Sequence, residues 1–116
     1  MQNDFPEQLK KKMDEYVHFV YKFTKSFPKE ELYGVTSQIR RASLSVILNY
    51  IEGFARQRKA VKQNFWQISY GSLKESKYLL HFSLTEKYLK QKDYQNALKL
   101  SEEIGAMLWR SIQSLK

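Results

Sequence analysis

Residues 27–58 read FPKEELYGVTSQIRRASLSVILNYIEGFARQR, and the second half of this stretch settles the fold class. Val35, Ile39, Ala42, Val46, Tyr50 and Gly53 recur at steps of three and four. That is the repeat of one helix face, not the alternation of a strand. The spacing predicts a helix over 35–57, with a further helical turn at Lys29-Glu30-Glu31. Pro28 ends whatever helix precedes it, because proline lacks the N–H a continuing helix needs.

The same repeat extends outward in both directions. Upstream, Leu9, Met13, Tyr16, Val17, Val20, Thr24 and Phe27 form a face over 6–26, with Asp4 as its expected N-cap and Pro6 in its first turn. Downstream, a helix over 60–89 has Phe65, Ile68, Ser69, Ser72, Ser76, Leu79 and Phe82 as its expected core face. After a break at Lys90-Gln91-Lys92, a helix over 93–115 carries Tyr94, Ala97, Leu98, Ser101, Ile104, Gly105, Leu108, Ile112 and Leu115. Short connections make successive helices antiparallel neighbours. The expected fold is all-α: an antiparallel up-down four-helix bundle, one domain over 1–116. Only 4 Gly and 2 Pro leave little turn material for a many-stranded alternative.

Composition narrows the function classes. The net charge of +8 points toward an anionic partner, such as nucleic acid or an acidic protein. The absence of cysteine excludes disulfides, thiolate zinc sites and a cysteine nucleophile. The opening MQNDFPEQLKKKMDEY is polar and no apolar run approaches the ~20 residues of a membrane span. A cytoplasmic protein without membrane contact is expected. No Ser-His-Asp arrangement, nucleophile elbow or phosphate loop is visible. A di-iron bundle needs Glu-x-x-His on two helices, and here Glu15-x-x-His18 occurs once. No catalytic residue, cofactor or metal is therefore expected.

Charge is unevenly placed. Between Glu52 and Glu75 the chain has no acidic residue. Arg56, Arg58, Lys59 and Lys62 cluster at the turn between the second and third helices, and Lys10, Lys11 and Lys12 cluster near the chain start. In an antiparallel bundle these two places share one end. The seven cations are the expected nucleic-acid contacts, suited to phosphate backbones and not to base sequence. A solvated face of a basic protein would look the same in sequence.

Two further patterns flank the core faces. Gln38, Arg41, Ser45, Asn49, Glu52 and Arg56 form a polar stripe on the second helix. Glu52 and Arg56 are spaced to pair. Glu75 is expected to be half-buried and to join Glu52 in an interhelical network with Arg41, Asn49 or Arg56. Apolar rows also run beside the core faces: Leu44, Ile47, Ile51 and Phe54 on the second helix, and Trp66, Tyr70, Leu73, Leu80 and Leu84 on the third. A bundle helix needs one apolar stripe. A second predicts subunit contacts in a homo-oligomer, or else a tightly wrapped bundle whose helices touch neighbours over a wider arc.

Phe27-Pro28-Lys29-Glu30-Glu31, Tyr33-Gly34-x-Thr36-Ser37-Gln38-Ile39-Arg40-Arg41-Ala42, Ser45, Asn49, Glu52-Gly53 and Arg56, followed by Gly71-Ser72-Leu73-x-Glu75, closely resemble the 23S rRNA intervening sequence proteins. The likeness runs over essentially the whole chain. Members often have proline after the middle serine of the second helix, where this chain has Val46-Ile47. The resemblance implies a four-helix bundle assembled as a ring-like homopentamer. It also implies similarity to the accessory variability protein of diversity-generating retroelements, a basic pentamer that binds nucleic acid and a reverse transcriptase. A nucleic-acid or ribonucleoprotein scaffold is the function this suggests; an adaptor for a protein partner is the alternative.

Overall fold

The computed structural model describes residues 4–116. Four helices follow one another: α1 (Phe5–Thr24), α2 (Val35–Phe54), α3 (Lys59–Thr85) and α4 (Gln91–Gln113), with a 3-10 turn at Lys29–Glu31. They form an all-α, antiparallel up-down bundle closed as a ring: α1 packs on α2, α2 on α3, α3 on α4, and α4 returns to α1. No helix is long and apolar enough to cross a membrane among the described residues.

The core is built from Leu9, Met13, Tyr16 and Val20 of α1, Ile39, Val46 and Tyr50 of α2, Leu73 and Leu80 of α3, and Ile104, Leu108 and Ile112 of α4. Serine spaces the third helix: Ser69, Ser76 and Ser83 recur every seven residues and are fully buried. Their small side chains let neighbouring helices approach closely. The Ser69 hydroxyl donates to the Val46 carbonyl of α2 at 2.6 Å. The Ser76 hydroxyl donates to Leu73 O at 2.8 Å, so Tyr16 is the donor in its own 2.8 Å bond with Ser76. That bond crosses the bundle from α1 to α3. Burial pushes the Tyr16 hydroxyl up to about 12.

The contacts at the helix ends give several turn residues a physical task. The carboxylate of Glu31 accepts the Val35 N–H at 3.1 Å, so it supplies the N-terminal cap of α2. Its other oxygen accepts the Tyr88 hydroxyl at 3.1 Å, tying the α3–α4 turn to the same point; that bond raises the Tyr88 pKa. A Cβ at residue 34 would collide with this carboxylate, so Gly34 keeps the cap in place. Arg40 serves the opposite terminus of α1. Its Nε donates to Thr24 Oγ1 at 2.8 Å, and its guanidinium lies 4.7 Å from the Tyr21 ring. A cation at a helix C-terminus is favourable because the last carbonyls leave partial negative charge there.

Several boundaries differ from expectation. Asp4 makes no side-chain cap; only its carbonyl is used, accepting the Gln8 N–H at 2.7 Å. The third helix stops at Thr85, before the expected residue 89, because Lys87 adopts φ 67. Lys87 N–H then donates to Leu84 O and Tyr88 N–H to Ser83 O, a Schellman end. A non-glycine residue in the left-handed region costs about 1–2 kcal/mol. Lys87→Gly is therefore expected to raise stability by roughly 0.5–1 kcal/mol, after the entropy that glycine adds to the unfolded chain. A urea midpoint at or below that of the parent chain would contradict this.

The apolar row on α3 is corrected by the packing. Trp66, Leu73 and Leu80 are 6%, 2% and 0% exposed within the single chain. They belong to its core and are not subunit contacts. The expected core face is rotated instead: Ile68 is 45% exposed, and Phe65, Ser72 and Phe82 are only partly buried. The reason is that α3 lies between α2 and α4 and buries an arc facing both. Tyr70 and Leu84 sit at the edge of that arc, half-buried.

Candidate nucleic-acid interface

The end of the bundle where α2 passes into α3 gathers most of the proposed cations. α2 ends at Phe54, and Arg58 precedes the first turn of α3. Arg56, Arg58 and Lys59 are exposed, while Lys62 is half-buried. Arg56 pairs with Glu52, and its guanidinium lies 5.3 Å from the Phe65 ring. Arg58 and Lys59 have no ion pair among the described residues. The Lys62 ammonium lies 5.4 Å from the Phe54 ring and 5.6 Å from the Trp66 ring. One more cation arrives from α4: Arg110 lines a cleft with Phe54 and Trp66 and lies 5.5 Å from the Phe5 ring. Periodicity and charge clustering assign Arg110 no role, since only antiparallel packing of α4 brings it here.

The α1 lysines do not all join this patch. Lys10 reaches the α2 end, sharing a cleft with Tyr50, Ile51 and Phe54, but it pairs with Glu7 at 3.3 Å. Lys12 turns to α4 and pairs with Glu103 at 3.1 Å. Lys11 lies in a cleft that also contains Asp4, Glu7 and Asp14. These neighbouring acids make the α1 side mixed in charge, so a single basic face over both clusters is not formed.

The polar stripe divides in the same way. Asn49 donates to Ser45 O and to Ser45 Oγ, both at 2.9 Å, and Ser45 Oγ is bonded to Ser72 Oγ at 2.7 Å. This bridge joins α2 to α3 beside the Ser69–Val46 bond, and the carboxylates are not part of it. Glu52 pairs with Arg56, along its own helix. Glu75 is exposed and not half-buried. It stands with Gln38, Arg41, Ser45, Ser72 and Tyr33 around a polar groove, open to water that solvates its charge. The expected buried network is therefore replaced by a serine–asparagine bridge.

The apolar row of α2 is the one left partly exposed on the single chain. Ile51 and Phe54 are 44% and 49% exposed, with Leu48 beside them at 57%; Leu44 and Ile47 are half-buried. His18 lies 3.3 Å from Asp14 at the surface, and no three His, Asp or Glu side chains are placed to hold a metal ion among the described residues.

A family model described as 23S rRNA-intervening sequence protein matches residues 7–110. The chain belongs to that family. Among solved structures, it is similar to a protein of unknown function from the S23 ribosomal protein family of Bacteroides thetaiotaomicron, with a TM-score of 0.85 and 22% identity. The likeness covers 94% of this chain and 98% of the other. At that identity it bears on the fold alone. No curated protein matches in sequence. Several residues of the stretch that carries the resemblance to this family have physical tasks: Glu31 and Gly34 cap α2, Arg40 closes α1, and Ser45, Asn49 and Ser72 bridge α2 to α3.

Proposed function

We propose that this protein is a non-enzymatic, homo-oligomeric binder of nucleic acid that takes RNA or DNA without reading base sequence. The observation that carries the reading is the α2–α3 turn. Arg58 and Lys59 stand there exposed, with no ion pair among the described residues, in a stretch from Glu52 to Glu75 that has no carboxylate between those two. Arg56 and Lys62 flank them along the chain, and Arg110 stands in the cleft with Phe54 and Trp66 at the same end of the bundle. Cations free of acidic partners displace counterions from a phosphate backbone, and that gain does not depend on sequence. Lys10, Lys11 and Lys12 contribute less, because acids lie beside them.

Exposed Leu48, Ile51 and Ile68 support the oligomeric part of the reading, with the pentamer implied by the family resemblance as the specific form. Light scattering that reports a monomer at micromolar concentration would remove that part. In a ring, the turn would be repeated around one end, and avidity for a long polyanion would rise.

The test is titration of labelled RNA and DNA at about 50 and 200 mM salt. Binding is expected to weaken steeply between the two. Replacing Arg56, Arg58, Lys59 and Lys62 together with alanine is expected to reduce affinity at least tenfold. The salt slope should fall by roughly one for each phosphate that is no longer neutralised. No binding at the lower salt, or an unchanged affinity in the fourfold variant, refutes the proposal. Recovery of one protein partner in a pull-down after nuclease treatment would favour the adaptor role in its place.

A further inference from the structure

We infer that the nucleic acid bound at this end is single-stranded, with an unpaired base stacked on Phe54 in the cleft beside the basic turn. This inference rests on the nucleic-acid reading above and deepens it. The cleft, of about 390 Å³, lies where the start of α1 meets the ends of α2 and α4 and the start of α3. Phe5, Pro6, Tyr50, Phe54, Trp66 and Arg110 form most of its wall.

Charge separates this cleft from its neighbour. No carboxylate among the described residues lines it, whereas the cleft on the α1 side of Phe54 includes Glu7. In that second cleft Lys10 is taken up by Glu7, so an anionic strand is favoured on the Trp66 side, where no acid competes for the cations. Two cations already stand at aromatic rings around it, Lys62 at Phe54 and Trp66, and Arg110 at Phe5. Aromatic faces interleaved with backbone-binding cations are what a single strand requires, since every base has a face to stack and a phosphate to neutralise.

The platform is also held still. Trp66 donates from Nε1 to Tyr50 O at 3.1 Å and stacks on the Tyr50 ring at 5.3 Å. Phe54 rests against both rings, at 5.9 and 6.4 Å, yet half of its surface faces water. A duplex hides its base faces and presents only phosphates and groove edges, so it can use the cations but not the Phe54 face.

The experiment compares three ligands by fluorescence anisotropy at low salt: a thymine single strand, an abasic single strand of the same phosphate count, and a duplex of the same length. The thymine strand is expected to bind at least about fivefold tighter than the abasic strand. Phe54→Ala should abolish that difference while leaving binding of the abasic strand and the duplex unchanged; Phe54→Tyr should keep it. The comparison of ligands on the parent chain stands even if the alanine variant does not fold. Equal affinity for the thymine and abasic strands overturns this inference and leaves the phosphate-binding reading intact. Failure of all three ligands to bind overturns both.

Discussion

Leu80→Ala is expected to destabilise the folded chain by about 2–5 kcal/mol, the range for removing a buried leucine and leaving a cavity. Leu80 is fully buried among core side chains of the same chain, and α3 is held there by neighbours on two sides. The space cannot be refilled by a small shift of one helix. The measurement is urea unfolding of the variant at two protein concentrations. A loss that is the same at both concentrations places Leu80 in the subunit core. A loss that appears only as weaker assembly, with subunit stability unchanged, would restore the interface role that the sequence suggests for this position. Lys99→Ala is the control: its side chain is exposed on α4 and takes part in no ion pair among the described residues, and a change within about 0.5 kcal/mol is expected.

Gly53→Ala is expected to cost about 2 kcal/mol, although alanine is the better helix former by about 1 kcal/mol. A Cβ at residue 53 would lie 2.6 Å from Trp66 Cδ1, 2.7 Å from Trp66 Nε1 and 3.0 Å from Phe65 Cβ. Relief requires moving α3 away from α2 or swinging the indole out of its bond to Tyr50 O. Overpacking of this kind costs about 1–3 kcal/mol, and breaking the hydrogen bond about 1 kcal/mol more. Stability equal to or above that of the parent chain would show that the glycine is not needed for the close approach. A selective loss of thymine-strand binding in a variant that remains folded would connect the same packing to the Phe54 platform.

Much of the fold is legible because helices announce themselves locally. The faces of α1 and α4 repeat at three and four residues with polar residues between them, and Leu9, Met13, Tyr16 and Val20, like Ile104, Leu108 and Ile112, are buried as that repeat requires. The third helix is less legible because its apolar residues cover two adjacent stripes. Periodicity fixes which residues share a stripe, but it does not say which neighbour covers each stripe. That is why Trp66, Leu73 and Leu80 read as a surface row and Ile68 as core. The polar readings divide by distance along the chain. Glu52 and Arg56, four residues apart, pair as expected. Lys12 and Glu103 meet only because α4 returns beside α1.

The candidate interface shows the same boundary. The acid-free cationic stretch from Arg56 to Lys62 is a property of the sequence, and a turn between antiparallel helices must expose much of it. Arg110 and Phe5 are distant in sequence from that turn and reach it only through the closed ring of helices. The sequence by itself determined four amphipathic helices, their order and the charge of the turn between the second and third, because helix periodicity and net charge are local quantities. Only the tertiary structure decided which of two apolar stripes on α3 is core, which lysines stand against acids, and that Phe54, Trp66 and Arg110 share a cleft. Those outcomes depend on which helices become neighbours, and that is set by burial over the whole chain.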